Sequence, residues 1–246
     1  VFESKNVLPG DRVLVMTYND PGFVVAMYGL WRMGAVLVPV NHKLTGPELE
    51  HIAGHSGAVL GIASEELVET AREGAPGFEW MTTSWEGGTF DRAVDGAEPF
   101  SGPLAEDAEY AQILYTSGTT SAPKGCVHTH RGVSSIAPNV TANIHFTGDD
   151  RFLMAMPIWH ASPLNNWLLT MMFVGATVVL MRDYDPAEFF PLMEREKITS
   201  VFGAPIAFIG PVQMAKAKGE SPKDYDLSAA DKLIYGAAPL GEDMAR

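Results

Sequence analysis

The chain has 246 residues, 46% hydrophobic and 19% charged, which is room for one large domain or two small ones and too apolar for a disordered chain. Seventeen basic residues against 30 acidic ones leave a net charge of −13, which argues against nucleic acid and acidic lipid as partners. A single cysteine, Cys126, excludes an internal disulfide scaffold and fits a reducing, cytoplasmic setting.

Strand and helix signals alternate along the chain. Residues 12–18 read as a buried strand. Asp20-Pro21 then supplies an N-cap with proline at the first helical position, and Gly34 stands where a glycine ends a helix. Residues 36–40 are the next strand, and Thr45-Gly46-Pro47-Glu48 is a capping box that opens a helix to about residue 55. A third strand over 58–62 precedes a helix over 65–72. The stretch 74–107 is rich in turns, with Gly87-Gly88 and Gly102-Pro103, and carries no firm element.

Order resumes with a strand over 111–115, a loop of Ser, Thr and Gly, a returning strand over 126–129 and a helix over 132–144. Phe146-Thr147-Gly148-Asp149-Asp150 is the best internal boundary, dividing the chain into 1–147 and a second αβ region, 148–246. The rhythm then continues: strand 151–156, helix 163–173, strand 177–180, helix 186–194, strand 199–202, helix 205–216 and strand 232–235. This alternation predicts an α/β fold with mostly parallel sheets and helices on both faces. The apolar run 167–181 has 15 residues, short of the ~20 that a membrane helix needs, and the longer stretch 22–40 carries Arg32 in its middle, so no transmembrane segment is expected. No signal-peptide pattern opens the chain.

The segment richest in chemistry is Tyr115-Thr116-Ser117-Gly118-Thr119-Thr120-Ser121-Ala122-Pro123-Lys124-Gly125. The hydroxyls of Thr116, Ser117, Thr119 and Thr120 flank Gly118, where the backbone can bend so that its N–H groups converge. Such groups bind phosphate oxygens, and Lys124 adds a point charge. The preceding strand would place the loop at the carboxyl edge of a sheet. The common nucleotide loop G-x-x-x-x-G-K-[ST] is not matched, since Pro123 and Gly125 stand where glycine and Ser or Thr are required. On composition alone the segment could equally be a flexible solvent loop.

The string resembles the phosphate-binding signature of the adenylate-forming, or AMP-binding, superfamily, Y-T-S-G-T-T-G-x-P-K-G, and departs from it at Ser121. Pro157-Ile158-Trp159-His160 resembles the family's P-x-F-H segment, with tryptophan for the usual aromatic. Tyr235-Gly236-Ala237-Ala238-Pro239-Leu240 resembles its G-G-A-P-L segment. Pro9-Gly10-Asp11-Arg12-Val13 and the stretch 34–41 are also similar, so the resemblance covers nearly the whole chain. It implies part of the large N-terminal domain of an adenylate-forming enzyme, with stacked sheets, and places the small C-terminal domain beyond Arg246. Val1 in place of methionine, and a last segment that reads as the first turn of a helix, also suggest a piece of a longer protein.

The resemblance also assigns roles. Thr116, Ser117, Gly118, Thr119, Thr120 and Lys124 would bind ATP phosphates, with Lys124 and His160 the catalytic pair. His160, Gly236, Ala237, Ala238 and Pro239 would line the acyl and adenine pocket. Amino-acid-activating relatives carry F-D-x-S where this chain has Trp159-His160-Ala161-Ser162, so the anionic partner of a substrate ammonium is absent. The small Ala237–Ala238 pair leans towards a fatty acid over an aryl acid. The implied function is activation of a carboxylic acid by ATP with Mg²⁺, then transfer to coenzyme A, in an acid–thiol ligase of the acyl-CoA synthetase type.

Alternatives are an adenylation domain loading a carrier-protein thiol and a nonenzymatic nucleotide- or acyl-binding half-domain. No residue here is expected to ligate a metal, since the family's magnesium-holding Glu would follow Arg246. The pair His128 and His130 has no supporting cluster. Cys126 is expected buried, as are Met171 and Met172. The 246-residue piece alone is expected to be inactive and to self-associate, as a homodimer or otherwise.

Overall fold

A computed structural model describes residues 1–106, 109–116 and 122–239. They form two compact units, one of residues 1–135 with 159–161, the other of 136–158 with the described residues from 162 onward.

The first unit is built on six strands: β1 (Arg12–Met16), β2 (Val36–Pro39), β3 (Ala58–Ser64), β4 (Trp80–Thr83), β5 (Tyr110–Tyr115) and β6 (Gly125–Thr129). Their spatial order is β4-β3-β1-β2-β5-β6, and every neighbouring pair is parallel except β5 and β6. Successive residues Val13, Leu14, Val15 and Met16 are all fully buried, so both faces of the central strand are covered.

The connecting helices are α1 (Pro21–Arg32), α2 (Gly46–Ser56), α3 (Val68–Gly74), α4 (Thr89–Asp95) and α5 (His130–Ser134). The expected punctuation of α1 is present: Asp20 Oδ1 accepts from the Gly22 N–H at 2.7 Å, and Gly34 leaves the helix at φ +80°, in the left-handed region that favours glycine. At α2 the Glu48 carboxylate accepts from both the backbone N–H and the hydroxyl of Thr45, at 2.9 and 2.8 Å. Those bonds, the backbone one foremost, lower the Glu48 pKa.

The stretch 74–107 is not structureless, as the sequence suggested: it holds β4 and α4. Both are short and owe their stability to tertiary contacts rather than periodicity. The Trp80 ring lies against Gly61 of β3, where a Cβ would come within 2.2 Å of the indole. Asp91 in the first turn of α4 accepts from the N–H groups of Gly88 and Ser84.

The second unit carries β7 (Arg151–Met154), β8 (Thr177–Leu180), β9 (Ser200–Gly203) and β10 (Lys232–Tyr235), all parallel, in the order β10-β9-β7-β8. Its helices are α6 (Ile136–Ile144), α7 (Leu169–Val174), α8 (Phe189–Arg195) and α9 (Ile206–Ala217). The helix expected over 163–173 begins as a π-helix, Ser162–Leu168, before tightening into α7. Trp167, on that wide turn, stacks on Phe202 at 4.5 Å and on Phe152 at 6.0 Å. The methionine pair is split: Met171 is fully buried, but Met172 lies on the outer side of α7 and is exposed, contrary to expectation.

Asp150, just ahead of β7, is 3% exposed and accepts from the Thr147 N–H (2.9 Å), the Thr199 hydroxyl (3.0 Å) and Lys232 Nζ (3.0 Å). Burial alone would raise its pKa, but these bonds together hold it below the ordinary 3.8. A depressed folded-state pKa contributes stability above the unfolded-state value, and that contribution is lost as pH falls through the folded one. Lys232→Met leaves the carboxylate buried without its cation and is expected to cost ~3–5 kcal/mol in urea unfolding at pH 7. The acid-side loss of stability below about pH 4 should be correspondingly flatter than in the wild type.

Candidate functional site

The hydroxyl-rich segment joins β5 to β6, and residues 116–124 are too few for the crossover of about a dozen residues that a parallel partner requires. The chain therefore folds back as a hairpin. Tyr115 pairs with Gly125, and the Thr116 N–H donates to the Lys124 carbonyl at 3.0 Å, closing the base of the loop. That base stands at the carboxyl end of β5, which pairs with β2 through Leu37 and Gln112. Thr116 and Lys124 are exposed, and Lys124 has no carboxylate partner among the described residues. Ser117, Gly118, Thr119 and Thr120 lie outside the described residues.

His160 is carried to the same unit by the short segment 159–161. The indole N–H of Trp159 donates to Nδ1 of His42 at 3.1 Å, and the two rings meet edge-on. His42 follows β2, is 6% exposed, and packs on Tyr18 with ring centroids 4.7 Å apart. Its Nδ1 is an acceptor here, which places the ring proton on Nε2. The Trp159 ring borders the exposed His160 at 5.7 Å. Because β2 and β5 are adjacent parallel strands, His160 and the loop base with Lys124 share the carboxyl edge of one sheet, where ligands of α/β folds usually bind. The sequence had not singled out His42, which lies 117 residues from Trp159 with no local pattern to link them.

The other candidate segment follows β10 in the second unit. Gly236 donates its N–H to the Gly203 carbonyl at 3.2 Å, and a Cβ there would meet the Phe202 ring at 3.2 Å. Ala237 has φ +67°, in the left-handed region. Ala237, Ala238 and Pro239 are exposed. An L-residue with a Cβ is strained by ~1–2 kcal/mol in that conformation, which accounts for glycine at the corresponding place of the G-G-A-P-L pattern.

One expectation needs correction. Cys126 is exposed, not buried: β6 is an edge strand, and neighbouring Val127, on the opposite face, is 51% exposed as well. His128, on the same strand, has its pKa lowered by burial. No group of three His, Cys, Asp or Glu suited to a metal ion occurs among the described residues.

A mostly parallel α/β unit with a Ser/Thr/Gly hairpin loop ending in lysine at its carboxyl edge is the architecture of adenylate-forming proteins. A sequence profile described as AMP-binding enzyme matches residues 1–246, and the chain belongs to that family. Over 99% of its length it is similar to feruloyl-CoA synthase from an Amycolatopsis species (34% identical over 244 residues) and to 4-coumarate–CoA ligase 2 from Nicotiana tabacum (30% over 255 residues). It covers 48% and 46% of those proteins, so it spans about half the length of the curated relatives it matches.

Among solved structures it is similar to ATP-bound MatB from Rhodopseudomonas palustris, with TM-score 0.85 and 25% identity over 99% of this chain and 48% of that one. It is also similar to the inhibitor-bound N-terminal domain of FACL13 from Mycobacterium tuberculosis, with TM-score 0.83 and 25% identity over 99% of this chain and 61% of that one.

Ala237→Gly should remove the left-handed strain and raise the unfolding free energy by about 1 kcal/mol, part of the relief being offset by glycine's greater freedom in the unfolded chain. Chemical denaturation of the two proteins side by side is the measurement, and an unchanged or lower midpoint would count against strain at this position.

Proposed function

We propose that the protein containing this chain is an ATP-dependent acid–thiol ligase that joins a carboxylic acid to coenzyme A. The observation that carries the reading is the hairpin loop with its closed base and the exposed Lys124 at the carboxyl edge of a parallel sheet. A substrate carboxylate oxygen attacks the α-phosphorus of ATP, the bond to the β-phosphate oxygen breaks, and pyrophosphate leaves. The thiolate of coenzyme A then attacks the acyl carbonyl, and AMP departs with the carboxylate oxygen it had gained.

In this scheme Lys124 neutralises phosphate charge, while Thr116, Ser117, Gly118, Thr119 and Thr120 supply hydroxyl and backbone donors to the phosphate oxygens. Mg²⁺ enters with ATP, and no residue of this chain is assigned to it. His160 borders the reacting carboxylate, and Gly236, Ala237, Ala238 and Pro239 line the acyl and adenine pocket. Catalysis is mostly positioning and charge neutralisation, since the chemistry needs no covalent enzyme intermediate.

The segment 157–162 offers no carboxylate to a substrate ammonium, and a buried unpaired ammonium costs several kcal/mol, which disfavours α-amino acids. An arylpropenoic acid is supported by the names of the relatives at 34% and 30% identity. A fatty acid is the second reading, supported by the small side chains of Ala237 and Ala238. No helix among the described residues is long and apolar enough to cross a membrane.

Lys124→Ala removes a charge-assisted phosphate contact worth ~1.5–3 kcal/mol and should slow acid-dependent pyrophosphate–ATP exchange by roughly 10- to 150-fold in the full-length protein. An unchanged rate and ATP KM would remove Lys124 from the mechanism. A panel of arylpropenoic, fatty and α-amino acids, read by AMP release, should give turnover with the first or second class. Preferred turnover of an α-amino acid would overturn the reading of the segment around His160.

A further inference from the structure

Helix α2 presents two histidines one turn apart, and neither has a part in the scheme above. His51 and His55 stack with ring centroids 5.6 Å apart and planes 21° from parallel. Each reaches a different leg of the loop that joins β5 to β6. His51 Nε2 lies 3.3 Å from the carbonyl oxygen of Pro123, directly before Lys124. His55 Nδ1 lies 2.8 Å from the hydroxyl of Tyr115, the last residue of β5. The rings of His55 and Tyr115 meet edge-on at 5.7 Å, and the phenol, whose pKa burial raises further, is a donor at neutral pH.

The donor logic at Pro123 has one solution. Proline has no N–H, so its carbonyl is the only main-chain hydrogen-bonding group at that position, and a carbonyl only accepts. His51 must therefore carry its proton on Nε2. The Lys124 carbonyl is tied to the sheet through the N–H and, at 3.5 Å, the hydroxyl of Thr116. With the His51 bond as well, the backbone on both sides of Lys124 is held. Tyr115 is held in the same way, by its ladder to β6 on one side and by His55 on the other.

We propose that His51 and His55 are positioning residues that brace the two legs of the loop against α2 and thereby set where the Lys124 ammonium stands. The inference rests on the proposed role of Lys124. A lysine on a flexible stem neutralises developing charge well only if its backbone is fixed before the reaction, and small misplacements of a group at the reacting centre are costly in rate. Neither histidine touches a reacting atom in this account. The effect passes through Pro123 and Tyr115.

The test has an activity arm and a structural arm in the full-length protein. His51→Ala is expected to lower kcat for acyl-adenylate formation about tenfold and to raise the KM for ATP, with the KM for the acid within twofold of wild type. His51→Gln, whose amide can donate from nearly the same place as Nε2, should recover most of the loss. His55→Phe keeps an aromatic ring but loses the bond to Tyr115. Combined with Tyr115→Phe it should cost little more than either change alone, because both remove the same contact.

The structural arm needs no turnover. Amide hydrogen exchange of the peptide covering residues 115–126 should quicken several-fold in His51→Ala and return towards the wild-type rate in His51→Gln, while peptides from β1 and β3 stay unchanged. Unaltered exchange in 115–126 would overturn the brace. So would equal kcat losses in His51→Ala and His51→Gln alongside unaltered ATP KM. If the wild-type protein activates no acid, the ligase reading fails, and the exchange arm still decides whether α2 holds the loop.

Discussion

The hydrogen bond from the Thr116 N–H to the Lys124 carbonyl is the constraint around which the first unit is organised. It closes the hairpin in which β6 returns antiparallel beside β5, in an otherwise parallel sheet. It fixes the base of the loop at the carboxyl end of β5, beside β2. The same edge receives Trp159 through the indole bond to His42, so two segments far apart in the chain meet where a parallel sheet leaves a crevice. Each of these ties is modest, about 1 kcal/mol net for a neutral hydrogen bond. Their value lies in geometry.

A chain with net charge −13 is an unpromising host for a polyphosphate, and its far field repels the ligand it is proposed to bind. Screening resolves the conflict. At physiological salt, charges more than about 8 Å apart at the surface are largely hidden from one another. Under the proposed function, the phosphate is recognised by the local cation Lys124 and not by the far field. The burden of recognition falls on short-range placement, which is why the bracing of the loop's legs carries more weight here than any surface charge.

Much of this was legible in the residues, and what was missed has identifiable causes. Asp20, Pro21 and Gly34 mark the limits of α1 because capping and left-handed backbone are local properties. Residues 12–18 show themselves as a buried strand because both faces need apolar cover, and the structure keeps residues 12–16 of it as β1. β4 and α4 escaped because they are a few residues long and are held by Trp80 against Gly61 and by Asp91 against Gly88, contacts with no periodic signature. Cys126 was misjudged because burial of a strand residue depends on whether another strand lies alongside, which sequence spacing does not record. The signature of the loop was plain in the sequence, whereas His42 was invisible. His51 and His55, four apart on one helix, left a trace that only the position of Pro123 makes meaningful.

The Asp150–Lys232 pair has a consequence for how the second unit comes into being. The two residues are 82 positions apart, and β10, which carries the lysine, is the last strand among the described residues and stands at one end of the order β10-β9-β7-β8. During vectorial synthesis Asp150 leaves the ribosome well before Lys232 does. An ionised carboxylate is costly to bury without its cation, so the Asp150 end of β7 is fully accommodated only with Lys232 in place. Burial at that corner thus couples the first strand of the sheet to a residue 82 positions later in the chain.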